Sequence, residues 1–230
     1  MLQTDHFVEP DLDLGKGVTC LMLTRKFLDE RSQVSSNLLS SITGKPVQFM
    51  KQVHGVNIRT VNSYANEPFD ETDGIFTKSS YLSLGVQTAD CIPLALSAVD
   101  GSEIALLHVG WKGLCDGIIE SFLTKYVTKN KQYNAWIGPC ITISNYEVGK
   151  DVYDKFCQAD PISETNFKIQ KKGKWKLDLR LEAARRLKLG NVNVSSSRDC
   201  TFENDALYYS YRNNQSKERM ITLIWRNNEK

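Results

Sequence analysis

Apolar residues along this chain recur with two different periods, one suited to strands and one to helices. Short apolar or alternating runs mark strands at Val18–Leu23, Val47–Val53 and Val56–Val61, with Gly55 as the break between the last two. Leu82–Gln87 and Ile92–Ala98 are further strand-like runs, separated by the polar stretch Thr88-Ala89-Asp90-Cys91. Ile104–His108 is almost wholly apolar, the composition of a strand buried on both faces. After it, Gly110–Gly113 turns the chain into a helix predicted over Leu114–Val127, where Leu114, Ile118, Phe122 and Tyr126 repeat every four residues. Helices are also predicted over Val148–Phe156 and Leu179–Leu189, the second stopped by Gly190. Ala135–Ile137, Val192–Ser195 and Met220–Trp225 complete the strands. Tyr208-Tyr209-Ser210-Tyr211-Arg212 reads as one more strand with packed rings, with base stacking beside an anion-binding Arg212 as the sharper alternative.

This mixture of βα alternation and neighbouring strands predicts an α/β or α+β fold, with mixed β-sheets flanked by helices. No repeat, low-complexity tract or Pro/Gly/Ser-rich linker interrupts residues 1–230, so one continuous domain is expected. Composition changes this picture little: 41% of residues are hydrophobic and 24% charged. The net charge of +2 argues against a nucleic-acid binder, which carries a clustered basic excess. The one dense basic stretch, Lys168–Lys176, is broken by Gly173 and Trp175 and reads as a solvated hairpin. The first sixteen residues carry Asp5, Glu9, Asp11 and Asp13 without an apolar core, so a signal peptide is not expected. No apolar run approaches the roughly 20 residues that span a bilayer. A cytoplasmic protein without membrane contact is expected, and with no C-x-x-C pair its six cysteines are expected to be thiols.

Chemistry concentrates at three residues. The chain has three histidines, and two of them, His54 and His108, close apolar stretches just before glycine turns. Side chains at such strand ends point into the crevice beyond a sheet. Cys91 lies in the polar notch after Asp90. Two imidazoles and a thiolate suit zinc, and three protein ligands leave a fourth position for water or substrate. A zinc-bound water falls to a pKa near 7 and supplies hydroxide at neutral pH. Spacings of 37 and 17 residues do not enforce such a cluster, so two other readings stand beside it. Each residue can be a satisfied core group, or Cys91 can be a nucleophile activated by a histidine that Asp90 orients. No G-x-G-x-x-G, P-loop, H-E-x-x-H or G-x-S-x-G occurs.

The motifs around these residues resemble a known family. They are Gln52-Val-His-Gly55, Thr72-Asp-Gly-Ile-Phe-Thr77, Gln87-Thr-Ala-Asp-Cys-Ile-Pro93 and His108-Val-Gly-Trp-Lys-Gly113, followed by Trp136-Ile-Gly-Pro139, Tyr146-Glu-Val-Gly149, Leu177-Asp-Leu179, Asp199-Cys-Thr201 and Tyr209-Ser-Tyr-Arg212. Their order over residues 50 to the C-terminus is similar to that of the laccase-like multicopper polyphenol oxidases, a family regarded as zinc-containing purine nucleoside phosphorylases. The bacterial peptidoglycan-editing factor belongs to it as well. The resemblance implies a mixed-sheet domain similar to toxin-type cysteine hydrolases, with His54, Cys91 and His108 as zinc ligands. It also implies phosphorolysis of adenosine, inosine and methylthioadenosine, and hydrolytic deamination of adenosine. Three stretches depart from the pattern: Thr24-Arg-Lys-Phe27 replaces a glycine-rich segment, Lys112 replaces an arginine, and Glu218-Arg-Met220 replaces G-R-M.

Within that reading Lys112 and Arg212 are the expected phosphate-binding residues, and Asp90 is the expected proton shuttle beside Cys91. The expected partners are a small-molecule nucleoside and phosphate, and the chain is expected to act as a monomer. An amide hydrolase acting on peptidoglycan precursors is the alternative. A multicopper oxidase is disfavoured, because three histidines cannot furnish a trinuclear cluster beside a separate copper centre. A zinc-binding interaction protein would close the fourth position with Cys115 or Cys140.

Overall fold

In the computed structural model, residues 4–31 and 33–227 are described. Their elements run β1 (Phe7–Val8), β2 (Val18–Leu23), α1 (Arg25–Asp29), α2 (Ser36–Thr43), β3 (Val47–Gln48), β4 (Ile58–Thr60), β5 (Gly74–Thr77), β6 (Ser83–Thr88), β7 (Ile92–Ala98) and β8 (Ile104–Val109). There follow α3 (Trp111–Cys115), α4 (Ile118–Lys125), β9 (Tyr133–Ile137), β10 (Glu147–Gly149), α5 (Lys150–Ala159) and a 3-10 turn (Pro161–Asn166). The chain ends with β11 (Phe167–Lys171), β12 (Lys174–Leu177), α6 (Leu179–Leu189), β13 (Asn193–Ser196), α7 (Tyr211–Asn214) and β14 (Met220–Arg226). The fold is therefore mixed α/β, as the alternation of periods implied.

Two large sheets stack on each other. One has the order β1-β2-β14-β6-β3 and the other β13-β9-β7-β8-β5-β4, while β10-β12-β11 forms a small third sheet. Leu21, Leu84, Val86 and Leu223 of the first sheet share a core with Ala95, Leu106 and Trp136 of the second. On its other face the second sheet presents Leu94, Leu96, Leu107 and Val109 to Leu114, Ile118, Phe122, Phe156 and Leu187 of the helices. Successive strand residues point to opposite faces, which is why β7 and β8 need apolar side chains at nearly every position. All residues of both strands are buried.

Where the fold departs from the apolar pattern, a tertiary contact or a glycine accounts for it. The helix expected over Leu114–Val127 starts earlier, at Trp111, and breaks at Gly117, whose φ of 92° is left-handed. Only glycine takes this conformation cheaply, and the Leu114 carbonyl accepts from the Gly117 amide at 3.2 Å and from Arg186 Nη1 at 2.8 Å. The Val47–Val53 strand ends at Gln48, because the amides of Val53, His54 and Gly55 donate to the Asp73 carboxylate and not to a neighbouring strand. Val148 lies in β10, two residues before its helix begins at Lys150. Tyr208–Arg212 is not a strand: Ser210 caps α7, and the hydroxyl of the buried Tyr208 donates to Asp199 at 2.6 Å. Lys168–Lys176 is the expected hairpin, turning at Gly173. Among the described residues, no helix is long and apolar enough to cross a membrane.

Candidate metal centre

Three chain segments deliver the candidate ligands to one spot beyond the ends of the second sheet. His108 is the fifth residue of β8 and pairs with Pro93 of β7, so the strand pair sets it beside Cys91, the residue just before β7. His54 arrives on the loop between β3 and β4. One ligand atom from each of His54, Cys91 and His108 lies within 4.8 Å of the others, and the two imidazoles meet edge to face with centroids 4.7 Å apart. His108 is buried, Cys91 half-buried and His54 exposed, so the group opens to solvent on one side. Cys115 and Cys140 are buried elsewhere and are not part of this cluster among the described residues.

Two of the non-glycine residues with left-handed backbone lie here. His54 has φ of 60° and Asp90 φ of 79°, left-handed values that non-glycine residues adopt only when their surroundings compel them. For His54 the compelling group is Asp73, whose side chain is fully buried. Asp73 Oδ1 accepts from the His54 amide at 2.9 Å, and Oδ2 accepts from the amides of Gly55 at 2.8 Å and Val53 at 3.2 Å. Oδ1 also lies 2.8 Å from His108 Nδ1. For Asp90, Oδ1 accepts from Thr201 Oγ1 at 2.7 Å and Oδ2 accepts from the Arg212 amide at 2.7 Å. Two glycines make room for the crowd. A β-carbon on Gly110 would stand 2.9 Å from His54 Cδ2 and 3.1 Å from Cys91 Sγ, and one on Gly113 would stand 2.6 Å from the Gly55 carbonyl oxygen.

Electrostatics follow from this packing. Burial alone would raise the Cys91 thiol, but the imidazoles of His108 and His54 outweigh it and hold the thiol well below its ordinary value. Burial would lower His108, yet the Cys91 thiolate and the Asp73 carboxylate outweigh it and raise the imidazole. A thiolate beside an imidazolium, or two imidazoles and a thiolate on a cation, are the charge states this arrangement favours.

The cluster lies on the wall of a cavity of about 750 Å³. Phe49, Trp111, Tyr146 and Tyr211 supply its aromatic lining, Gln52 and Gln87 its amides, and Lys51, Arg212 and Arg219 its cations. Gln52 locks the His54 loop to β6, donating from Nε2 to the Gln87 carbonyl at 2.6 Å and accepting from the Gln87 amide at 3.1 Å. The Arg212 guanidinium lies 5.0 Å from the Tyr146 ring centroid and donates to the Glu147 carbonyl at 2.8 Å. Arg219 donates from Nη1 to the carbonyls of Ser216 and Glu218. Lys112, expected at the anion site, is exposed on the five-residue α3 and does not line this cavity.

Sequence reading assigned no role to Asp73, Gln52, Trp111, Tyr146 or Arg219. Asp73 left one signal, an acid set between Thr72 and the apolar run Gly74–Phe76, where a buried strand begins. The others stand within the quoted motifs, but those motifs gave them no role, because their convergence depends on tertiary structure.

A mixed two-sheet fold with a His–Cys–His cluster beside an aromatic cleft defines a class of candidate metalloenzymes. Residues 19–227 match the family model described as multi-copper polyphenol oxidoreductase laccase, and the chain belongs to that family. It is 34% identical over 184 residues to a protein of Xylella fastidiosa (strain Temecula1) named purine nucleoside phosphorylase, covering 77% of this chain and 71% of that one. A Haemophilus influenzae protein of the same name is 32% identical over 204 residues, covering 86% and 83%. The crystal structure of the Neisseria meningitidis protein NMB0706 superposes with a TM-score of 0.87 at 25% identity, covering 97% of this chain and all of that one.

Proposed function

We propose that this chain is a zinc-dependent purine nucleoside phosphorylase, with His54, Cys91 and His108 as the metal ligands. The observation that carries the reading is the meeting of these three donors, within 4.8 Å, on the wall of an aromatic and arginine-lined cleft. The names of the family relatives give the activity class. Two nitrogens and a thiolate fit zinc, and the missing β-carbon at Gly110 leaves the donors free to converge. Three histidines in the whole chain are too few for multicopper chemistry. When bound, zinc would supply a Lewis acid at the open side of the cluster, polarising an oxygen presented to it.

The remaining work falls to the protein. Phe49, Trp111, Tyr146 and Tyr211 offer ring faces on which a purine stacks. Arg212 and Arg219 neutralise phosphate and aim one of its oxygens at the anomeric carbon. The carbon–oxygen bond to phosphate forms as the glycosidic carbon–nitrogen bond breaks. The base leaves with the electron pair and takes up a proton, giving free base and ribose 1-phosphate. Adenosine, inosine and methylthioadenosine are the substrates in view, with hydrolytic deamination of adenosine as a second reaction of the same cleft. Both oxygens of Asp90 are engaged by Thr201 and Arg212, which favours an anchoring role over the proton shuttle expected from sequence. The chain is taken to work as one cytoplasmic domain spanning residues 1–230.

One observation favours a second reading. Cys91, His108 and Asp73 form a thiol–imidazole–carboxylate relay of the kind that serves cysteine amide hydrolases. That relay would act on an amide such as a peptidoglycan precursor without metal. The deciding experiment gives zinc-loaded and chelator-stripped protein adenosine or inosine, with and without phosphate, beside a Cys91→Ala variant. Free base formed only by loaded wild type, and only with phosphate, supports phosphorolysis. Intact nucleosides in every tube, with amide cleavage surviving chelation, replace it with the hydrolase.

A further inference from the structure

We infer that Asp73 is the positioning residue of the metal centre, holding both histidine ligands through one carboxylate. The inference rests on the zinc reading above. A buried carboxylate needs its lone pairs matched by donors, and Asp73 has four: the amides of Val53, His54 and Gly55, and the His108 ring. None of the four is replaceable by water, because the side chain is wholly enclosed.

The two ligands are controlled in different ways. On His108 the contact is to Nδ1, so that nitrogen carries the hydrogen donated to Asp73, and Nε2 keeps its lone pair for a cation. The backbone of Asp73 adds a second tie, its carbonyl accepting from the His108 amide at 2.7 Å. A histidine so fixed has one tautomer and one ring orientation, and its free nitrogen is the more basic for the carboxylate behind it. On His54 the contact is to the backbone. Three successive amides wrap the carboxylate, and this closure forces φ of His54 to 60° and turns its ring toward Cys91 and His108. Without the carboxylate, the left-handed residue and the three amides would have nothing to hold them.

Asp73 begins the approach to β5, and β5 pairs with β8 by Gly74↔Leu107. The same register that aligns these strands thus brings carboxylate and imidazole together. Small changes at position 73 are passed to two ligands at once, while Cys91 is left in place.

The test compares wild type with Asp73→Asn and Asp73→Glu. Zinc affinity is read by chelator competition, the His108 tautomer by nitrogen chemical shifts of the zinc-loaded protein, and folding by thermal melting without metal. Asn keeps one acceptor oxygen but turns an NH₂ toward donors, so zinc affinity is expected to fall roughly 10–100-fold in a folded protein. Asp73→Glu keeps the charge but overfills the pocket, and it is expected to recover part of that affinity. The wild type is expected to show His108 protonated at Nδ1. Equal zinc affinity in wild type and Asp73→Asn overturns the inference while leaving the zinc site intact. If Asp73→Asn fails to fold, His108 of the wild type found protonated at Nε2 overturns it equally. A wild type that takes up no zinc sinks this inference and the metal reading together.

Discussion

The α-carbon of Gly110 faces the thiol of Cys91 so closely that a β-carbon built there would lie 3.1 Å from Sγ. The same carbon would stand 2.9 Å from the His54 ring. Since φ of Gly110 is −82°, alanine meets no backbone penalty, and the effect of Gly110→Ala is steric alone. The methyl is expected to push His54 and Cys91 apart, at a cost of about 1–3 kcal/mol to the closed site. Zinc affinity in a chelator competition should fall at least tenfold, with the metal-free melting temperature changed by a few degrees. Undiminished affinity would show that the ligands converge differently from the geometry described.

Arg219 lines the cleft with part of its guanidinium committed to the Ser216 and Glu218 carbonyls, which fixes its direction. In the proposed reaction it meets phosphate. Removing a charged hydrogen bond of this kind costs roughly 1.5–3 kcal/mol. Arg219→Ala should therefore raise KM for phosphate by tenfold or more in steady-state phosphorolysis. Deamination of adenosine, which uses no phosphate, should change little. An equal loss in both reactions would place Arg219 in general cleft structure.

Asp90 holds the start of α7 through the Arg212 amide and holds Thr201 through its other oxygen. As an anchor, its replacement in Asp90→Asn should displace Arg212 and raise KM for substrates more than it lowers kcat. As a proton shuttle, its loss would lower kcat for deamination by roughly 10²–10⁴-fold with KM preserved. The split between the two constants decides which role Asp90 has.

Glu182 ties α6 to its surroundings with no exposed surface, bonded to Arg185, Arg186, Ser163 and Asn166. Burial would raise its carboxyl, but Arg185, Arg186 and the neutral donors outweigh it and hold the value at about 2, against 4.5 for the free group. A carboxyl depressed in the folded state stabilises fully above its unfolded value, and this contribution is lost as pH falls through the folded one. The window is pH 4.5 down to 2, and the amount is about 3 kcal/mol at 1.36 kcal/mol per unit. Urea unfolding of metal-free wild type and Glu182→Gln should give a stability difference that is constant above pH 5 and shrinks on acidification. A pH-independent difference would deny the ionised Glu182 its role.

Much of this architecture is legible in the residues because some elements contain their own reasons. β2, β7 and α6 match their apolar runs residue for residue, since each period is complete within the segment. Boundaries decided by distant groups were hidden. The strand after Val47 stops for Asp73, and the Leu114 helix breaks at Gly117, beside a Leu114 carbonyl that meets Arg186, far along the chain. Likewise, spacing alone never joined His54, Cys91 and His108. The motifs around them, matched to a family, singled them out, and the pairing of β7 with β8 brings two of the three together. Lys112 looked apt because it follows His108 closely, but α3 turns it away from the cleft.

The central claim is phosphorolysis at a zinc site made by these three residues, and phosphorus NMR of zinc-loaded protein with inosine and phosphate tests it directly. Inorganic phosphate is expected to decline as ribose 1-phosphate appears, one for one with hypoxanthine, and neither is expected to change with Cys91→Ala. Hypoxanthine and free ribose accumulating while the phosphate signal stays constant would make the reaction a hydrolysis and contradict it.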